Sequence, residues 1–394
     1  MLSLLRDPRA IGLLLAATLT ILSNQIISPS LPGIGAHFDG LPHADLMARM
    51  LVTAPSLLVA ILAPFAGWLA DRFGRRRQLL IGIVLFAVAG SGGLWLPTLP
   101  LILASRMVLG VGVALIMTAQ TALIGDYFHG ERRGQFMGVQ IAATNFAGFV
   151  FLLIAGAIAG ISPFAPFVIY LVALLYLPVL WAVLPEPPKG EEQERRDPAE
   201  AGERGWGLLL GVVILLAGFN FLTFYMLPTQ MPYFLPTIGH DAPADAARLV
   251  AGVTLFGGIS SLAYGRVRAR LGRALTPTIG FALFALGFGL FGLAEGYGTV
   301  LAGGVLLGLA AGLVWPTFLS VALDVVPAHR RGLAAGAVTT SVFLGQFLSP
   351  IVSQPLIGAL GYAGTFEVMA AVLAAMALVV LVTFRERPAV VATV

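Results

Sequence analysis

Arg106 is the one charge that falls well inside a long apolar run of this 394-residue sequence. It stands six residues beyond Pro100, roughly 9 Å along a helix rising about 1.5 Å per residue, against a half-thickness of about 15 Å for a bilayer core. An arginine at the bilayer centre costs about 2.5 to 3.5 kcal/mol on translocon scales, so it needs a partner or an exit. Two fates stay open: snorkelling to the headgroups, or facing an internal cavity where its planar fork meets an anionic group of a solute or helps move a proton between acids. Asn24, Gln25, Asn145, Asn220 and Gln346 are amides in the middle of other apolar runs. They can hydrogen-bond a bound solute, or tie helices together at about 0.6 kcal/mol per bond. Tyr225 and Trp315 are candidates for an aromatic cavity wall, with plain packing as the alternative.

A second set stands where apolar runs end. Gly67, Asp71, Arg72, Gly74 and Arg75 form Gly-x-x-x-Asp-Arg-x-Gly-Arg, followed by Arg76 and Arg77. A carboxylate here can oppose a neighbouring helix N-terminus, and Arg75 can pair with Asp126. The same pairing is expected between Arg273 and Asp324. For Arg76 and Arg77 a topogenic role is the simpler reading.

Bond-breaking chemistry has no constellation to support it. Cysteine is absent, and the five histidines, His37, His43, His129, His240 and His329, fall in loops or at run ends. His-Glu-x-x-His, Gly-x-Ser-x-Gly and paired intramembrane carboxylates do not occur. The sequence therefore predicts no catalytic residue, no metal and no cofactor. A pI near 9.7 accompanies a net charge of only +4, which membrane topology explains without nucleic acid.

The elements that must position these residues follow from composition. Hydrophobic residues make up 58% and charged residues 11%, with a mean hydropathy of +0.93; soluble chains carry about 25% charge. Lipid is therefore the solvent for most of the surface. Twelve runs are near the ~20 residues a spanning helix needs: approximately 10–31, 47–70, 79–96, 101–125, 134–161, 165–184, 208–228, 249–264, 275–294, 300–323, 333–356 and 365–384. The first lacks a small-x-small cleavage pattern and reads as a retained span. With the N-terminus in the cytoplasm, 20 of 23 Lys and Arg lie on that side, Arg49 and Arg248 outside and Arg106 within a run. Glu295 and Glu367 fall near the outer ends of the ninth and twelfth runs.

The chain also repeats itself at an offset of 198 residues. Gly67, Arg72, Gly74 and Arg75 recur as Gly265, Arg270, Gly272 and Arg273; Asp126 recurs as Asp324, and Arg132-Arg133-Gly134 as Arg330-Arg331-Gly332. The expected fold class is all-α integral membrane, with twelve transmembrane helices in two pseudo-symmetric six-helix bundles, residues 1–184 and 206–394, joined by a hydrophilic cytoplasmic linker over 185–205. Duplicated bundles suit alternating access about a site between them. Gly304, Gly308 and Gly312, and Gly156 and Gly160, have the four-residue spacing that lets helices approach closely.

These residues resemble the major facilitator superfamily over essentially the whole chain, most specifically through Gly67 to Arg77, similar to the signature loop between spans two and three. Within it the chain is most similar to the twelve-span drug:proton antiporter group, through Pro29-Ser-Leu-Pro32 and Arg106-Met-Val-Leu-Gly110-Val-Gly112. It departs from that group at Leu109, often polar there; in Ala143 to Val150, which lacks a Gly-Pro pair; and at Asn24 and Gln25, where some relatives have an acid. The resemblance implies a latch at Asp71, Arg72 and Arg75. It also implies a monomeric secondary transporter in the inner membrane with cytoplasmic termini, exporting drugs or amphipathic metabolites in exchange for protons. Uptake or exchange of a small anionic metabolite on Arg106 is the alternative. A membrane-embedded enzyme or a sensor is the alternative from another class.

Overall fold

A computed structural model describes residues 6–186 and 205–384 of the chain. Most of the expected linker, Arg385, Arg387 and the side chain of Asp71 lie outside the described residues. All regular structure among the described residues is helical. Span one is Pro8–His37, span two Ala44–Phe73, span three Arg75–Leu94, span four Leu99–Tyr127, span five Gly130–Ala159, span six Ala165–Val183 and span seven Trp206–Ile238. Spans eight and nine share Pro243–Gly292, span ten is Tyr297–Val325, and spans eleven and twelve share Arg331–Thr383.

The two shared stretches hold 50 and 53 residues. As straight helix either would reach roughly 75 Å, more than twice the ~30 Å of a bilayer core. Each reverses at a glycine instead: Gly272 has φ 76° and Gly361 φ 69°. Gly74, one repeat before Gly272, turns the chain between spans two and three with φ 100°. Side chains are strained at such φ values, so the repeated motif glycine is where each half folds its second span back into its third. The twelve helices stand where the twelve apolar runs lie and are longer than those runs at most ends, because polar first and last turns are helical without being apolar.

The opening span of each half is broken. Span one is helical over Pro8–Gln25, then passes through a 3-10 turn at Ser28–Ser30 into Leu31–His37. Span seven breaks after Phe224, resumes over Met226–Phe234 and ends in a 3-10 turn. Pro29 and Pro32 in one, and Pro228, Pro232 and Pro236 in the other, donate no backbone hydrogen bond, so carbonyls are released at the breaks. At its start, span one is capped by Asp7, whose carboxylate accepts from the Arg9 amide at 3.0 Å. Partial burial raises the Asp7 pKa, but the hydrogen bonds and charge of Arg9 and the charge of Arg132 outweigh it and hold the group below its ordinary value.

Glycine governs packing within each half. A Cβ at Gly110 of span four would lie 2.3 Å from the Pro55 carbonyl oxygen of span two, and one at Gly308 of span ten 2.6 Å from the Val253 carbonyl oxygen of span eight. Gly304 and Gly312 are similarly tight against Leu249 and Ser260 of span eight. Gly156 of span five meets Ala247 across the halves, whereas Gly160 has only the Ala157 oxygen of its own turn.

Candidate functional site

The halves meet through spans five and eight and through spans two and eleven. Along the first pair, a Cβ at Gly156 would lie 2.2 Å from that of Ala247, one at Gly148 3.1 Å from Thr254 Cγ2, and one at Gly258 2.8 Å from Asn145 Cβ. Further toward the arginine-rich end, Gly138 of span five and Gly265 of span eight have nothing among the described residues within 4 Å of a built Cβ, and the same holds for Gly67 of span two and Gly336 of span eleven. Among the described residues the close approaches between these spans thus lie away from the end that carries Arg72 to Arg77, where the four glycines face open space.

Where they close, polar side chains from both halves bond to one another. Asn24 Nδ2 lies within hydrogen-bond distance of Ser56 Oγ at 3.2 Å, Gln346 Oε1 at 3.1 Å and the Tyr225 hydroxyl at 3.4 Å. Ser56 donates to Gln346 Oε1 at 2.7 Å. Asn24 and Ser56 come from spans one and two; Tyr225 and Gln346 come from spans seven and eleven. Asn24, Tyr225 and Gln346 were expected here, and Ser56 was missed although it follows Pro55 in mid-span. Gln25 is beside them in sequence and buried, its Oε1 without a partner among the described residues.

Nearer the closed end, Ser28 donates to the Pro228 carbonyl at 2.6 Å. Arg49 donates to Gln230 Oε1 at 3.0 Å and stacks 3.6 Å from the centre of the Tyr233 ring. Gln230 in turn donates to Ser353 at 2.8 Å. Sequence reasoning treated Arg49 only as an outside charge. Its burial signal, a tyrosine and a glutamine 181 or more residues away, is invisible along the chain.

Asn220 and Trp315 form a neighbouring group inside the second half. The indole Nε1 donates to Asn220 Oδ1 at 3.1 Å, and the ring stacks on Phe221 and meets Phe224 edge-on. Asn220 Nδ2 is buried without a partner among the described residues. Phe224 adjoins Tyr225, so this aromatic wall is continuous with the cross-half cluster. Asn145 is half-buried against Gly258, its amide donating back to the Ile141 carbonyl at 2.9 Å.

Arg106 is placed differently from both expectations. It is 0% exposed, neither at a headgroup level nor in the gap between the halves. Its Nε donates to the Leu51 carbonyl at 2.9 Å and Nη2 donates to the Ser23 carbonyl, while the guanidinium sits 4.8 Å from the centre of the Tyr170 ring. Both acceptors have a sequence cause. Leu51 is four residues before Pro55, which has no N–H to return, and Ser23 is in the last turn before the span-one break. A cation there also faces the negative end of that half-helix. Tyr170 adds its own hydroxyl, within 3.2 Å of the Leu22 and Ser23 carbonyls. Arg106 thus fixes the backbone that presents Asn24 and Gln25.

At the arginine-rich end Arg75 pairs with Asp126, as expected. The equivalent pair does not form as expected: Asp324 is met by Arg268 at 2.7 Å, and Arg273 Nε donates to the Phe384 carbonyl at 3.1 Å. Arg268 lies a helical turn before the reversal at Gly272, whereas Arg273 follows it, pointing toward span twelve. Arg72 is exposed, and Gly67 has open space beside it. Glu186, which no motif marked, accepts from the amides of Arg75 at 2.7 Å and Arg76 at 3.4 Å, capping span three. A Cβ at Gly74 would come within 2.9 Å of that carboxylate. Glu367 is exposed beside Gly292, on spans nine and twelve rather than between the halves.

The groups gathered between the halves are amides, hydroxyls, an arginine and aromatic rings. A family model described as Major Facilitator Superfamily matches residues 13–249 and 233–393. The chain is similar to the quinolone resistance protein NorA of Staphylococcus aureus (strain MRSA252), with 23% identity over 327 residues, covering 80% of this chain and 82% of that one. Among solved structures, a D-xylose-proton symporter superposes with a TM-score of 0.79 at 17% identity, over 96% of this chain and 98% of that one. A bacterial homolog of the human lysosomal transporter Spinster, inward-facing and unoccupied, gives 0.78 at 18% identity, over 98% and 100%.

Proposed function

The chain belongs to the Major Facilitator Superfamily and is a membrane transporter, and from that premise we propose that it exports drugs or amphipathic metabolites by alternating access, in exchange for protons. The observation that carries this reading is the cluster of Asn24, Ser56, Tyr225 and Gln346 at the closed end of an open gap. Amides and hydroxyls beside an aromatic wall suit a solute with a flat apolar body and a few polar groups. The likeness to a quinolone resistance protein supports the same class. Proton exchange follows the resemblance to the drug:proton antiporter group.

The membrane is the inner one, both termini are cytoplasmic, and the transporter acts as a monomer of two bundles, 1–184 and 206–394, joined by the 185–205 linker. The positive-inside pattern supports this orientation. The gap then opens to the cytoplasm, where an exporter loads. Asp71, Arg72, Gly74, Arg75 and Asp126, with Arg273 and Asp324 in the second half, belong to the latch that closes this end. Arg106 is a positioning residue: Nε and Nη2 are held on carbonyls, Nη1 has no partner among the described residues, and its full burial weighs against uptake of an anion upon it.

An accumulation assay tests the proposal. Cells lacking their own pumps and expressing the chain are expected to hold less of a fluoroquinolone or an amphipathic dye, with the difference lost when the proton gradient is collapsed. Accumulation unchanged by expression, with the protein present in the membrane, would remove the export reading.

A further inference from the structure

Away from the cross-half site, spans three and six enclose a groove of about 560 Å³ on the face that meets lipid. Leu80, Ile81 and Val84 line it from span three, and Leu177, Pro178 and Trp181 from span six. Pro178 is a helix-interior proline, so it removes a backbone bond and its ring crowds the preceding turn, disturbing the helix surface beside the groove. From Leu80 to Val84 the groove follows about 6 Å of helix, enough to grip part of one extended hydrocarbon chain.

One end of this apolar groove is cationic. The Arg76 guanidinium lies 4.5 Å from the centre of the Trp181 ring and donates to the Trp181 carbonyl. Arg77 beside it is exposed. Among the described residues, neither has a carboxylate at ion-pair distance, since Asp126 takes Arg75 and the Glu186 carboxylate is held on the amides of Arg75 and Arg76. Two cations without acidic partners among the described residues therefore stand where a hydrocarbon slot opens toward the headgroup level.

We propose that this groove binds one acyl chain of an anionic phospholipid whose phosphate rests on Arg76 and Arg77. Charge complementarity selects this occupant: a zwitterionic lipid offers the same chain but no net charge to two adjacent guanidiniums. The site is separate from the transported solute's and stands whatever that solute is.

The test reads Trp181 directly. The full chain with Trp68, Trp95, Trp206 and Trp315 changed to Phe is placed in mixed phosphatidylcholine and phosphatidylglycerol vesicles, with brominated chains on one lipid at a time. Brominated phosphatidylglycerol is expected to quench Trp181 roughly fivefold more effectively per lipid, the preference of about one arginine near an anionic headgroup. Arg76→Gln with Arg77→Gln should abolish the preference, and Val84→Phe, which fills the groove, should weaken quenching by both lipids. If the four-Phe form does not insert, the signal lost between the unmodified chain and Trp181→Phe gives the same reading. Equal quenching by the two lipids before the arginines are changed would overturn the proposal.

Discussion

The two halves repeat one another in packing and part company in charge. Gly110 and Gly308 occupy equivalent positions and each brings a helix against a carbonyl of its neighbour, Pro55 in one half and Val253 in the other. One turn earlier the equivalents are Arg106 and Gly304: the first half buries a guanidinium on two carbonyls, and the second places a bare backbone against Leu249. Close approach between helices is a requirement that any duplicated bundle retains. A buried charge is not: Arg106 Nη1 has no partner among the described residues, so the guanidinium is costly where it stands, and its presence in one half points to a task that half alone performs. Holding the broken span one, and with it Asn24, is that task.

The largest effect expected from breaking this difference is at Arg106. Arg106→Ala leaves the Leu51 and Ser23 carbonyls without their charged donor, at about 1.5 to 3 kcal/mol per bond, partly offset by removal of the buried charge. Transport should fall to near background, and thermal unfolding in detergent should show a clear loss of stability. Arg106→Lys cannot bond both carbonyls and stack as a plane on Tyr170, so flux should be intermediate. Gly304→Ala should cost less than Arg106→Ala, because its new methyl meets side-chain atoms, Leu249 Cδ1 at 2.6 Å and Val253 Cγ2 at 3.4 Å, and no backbone. Parental flux in Arg106→Ala would show that span one holds its shape unaided.

Packing should instead respond alike on both sides. Gly110→Ala and Gly308→Ala each press a methyl onto a backbone oxygen that cannot step aside. Each should cost about 1 to 3 kcal/mol, with Gly110 the worse because its contact is closer. A thermal shift confined to one of the two would break the claim that the halves share their packing.

How much of this was legible in the sequence depends on the range of the interaction. Apolar runs and the 198-residue repeat placed the spans, and Gly272 was marked by its likeness to Gly74. The broken span one was written in Pro29 and Pro32, and the carbonyl freed at Leu51 in Pro55. Neither proline says which donor arrives, since Arg106 is 55 residues from one acceptor and 83 from the other. Glu186 was illegible for the same reason, meeting Arg75 from 111 residues away. Arg273 was misjudged because equal spacing in the repeat does not preserve the direction of a side chain just past a reversal.

Across the halves, the comparison sharpens into one between bonds that cross and bonds that do not. Gln346→Ala removes bonds that cross the halves, and Asn24→Ala removes its two cross-half bonds together with its bond to Ser56 inside the first half; Asn220→Ala removes one made within a half. Because the chain has no cysteine, Ser30→Cys gives a single reporter near the closed end, where Ser30 is 2% exposed. A net bond of about 1 kcal/mol shifts the closed-to-open ratio roughly fivefold. Maleimide labelling from that side should rise by about that factor with Asn24→Ala or Gln346→Ala and stay level with Asn220→Ala. A rise with all three would mean that loosened packing, and not the cross-half bonds, opens the end.

The smallest expected effects separate the two ion pairs at the arginine-rich end. The Arg75 and Asp126 side chains are 32% and 23% exposed, against 22% and 51% for Arg268 and Asp324. Solvent screens the second pair more at its carboxylate, and exposed pairs are worth about 0 to 1 kcal/mol. Asp126→Asn should therefore slow transport severalfold, because it removes the less screened carboxylate from Arg75 beside the Glu186-capped start of span three, whereas Asp324→Asn should stay within about twofold of the parent. The partner of Asp324 can be read in the same series. If Arg268 is its counter-ion, Arg268→Gln and Asp324→Asn together should do no more harm than either alone, while Arg273→Gln, which loses the bond to the Phe384 carbonyl, should add to Asp324→Asn independently. Coupling of Asp324 to Arg273 and not to Arg268 would restore the symmetric pairing and erase this difference between the halves.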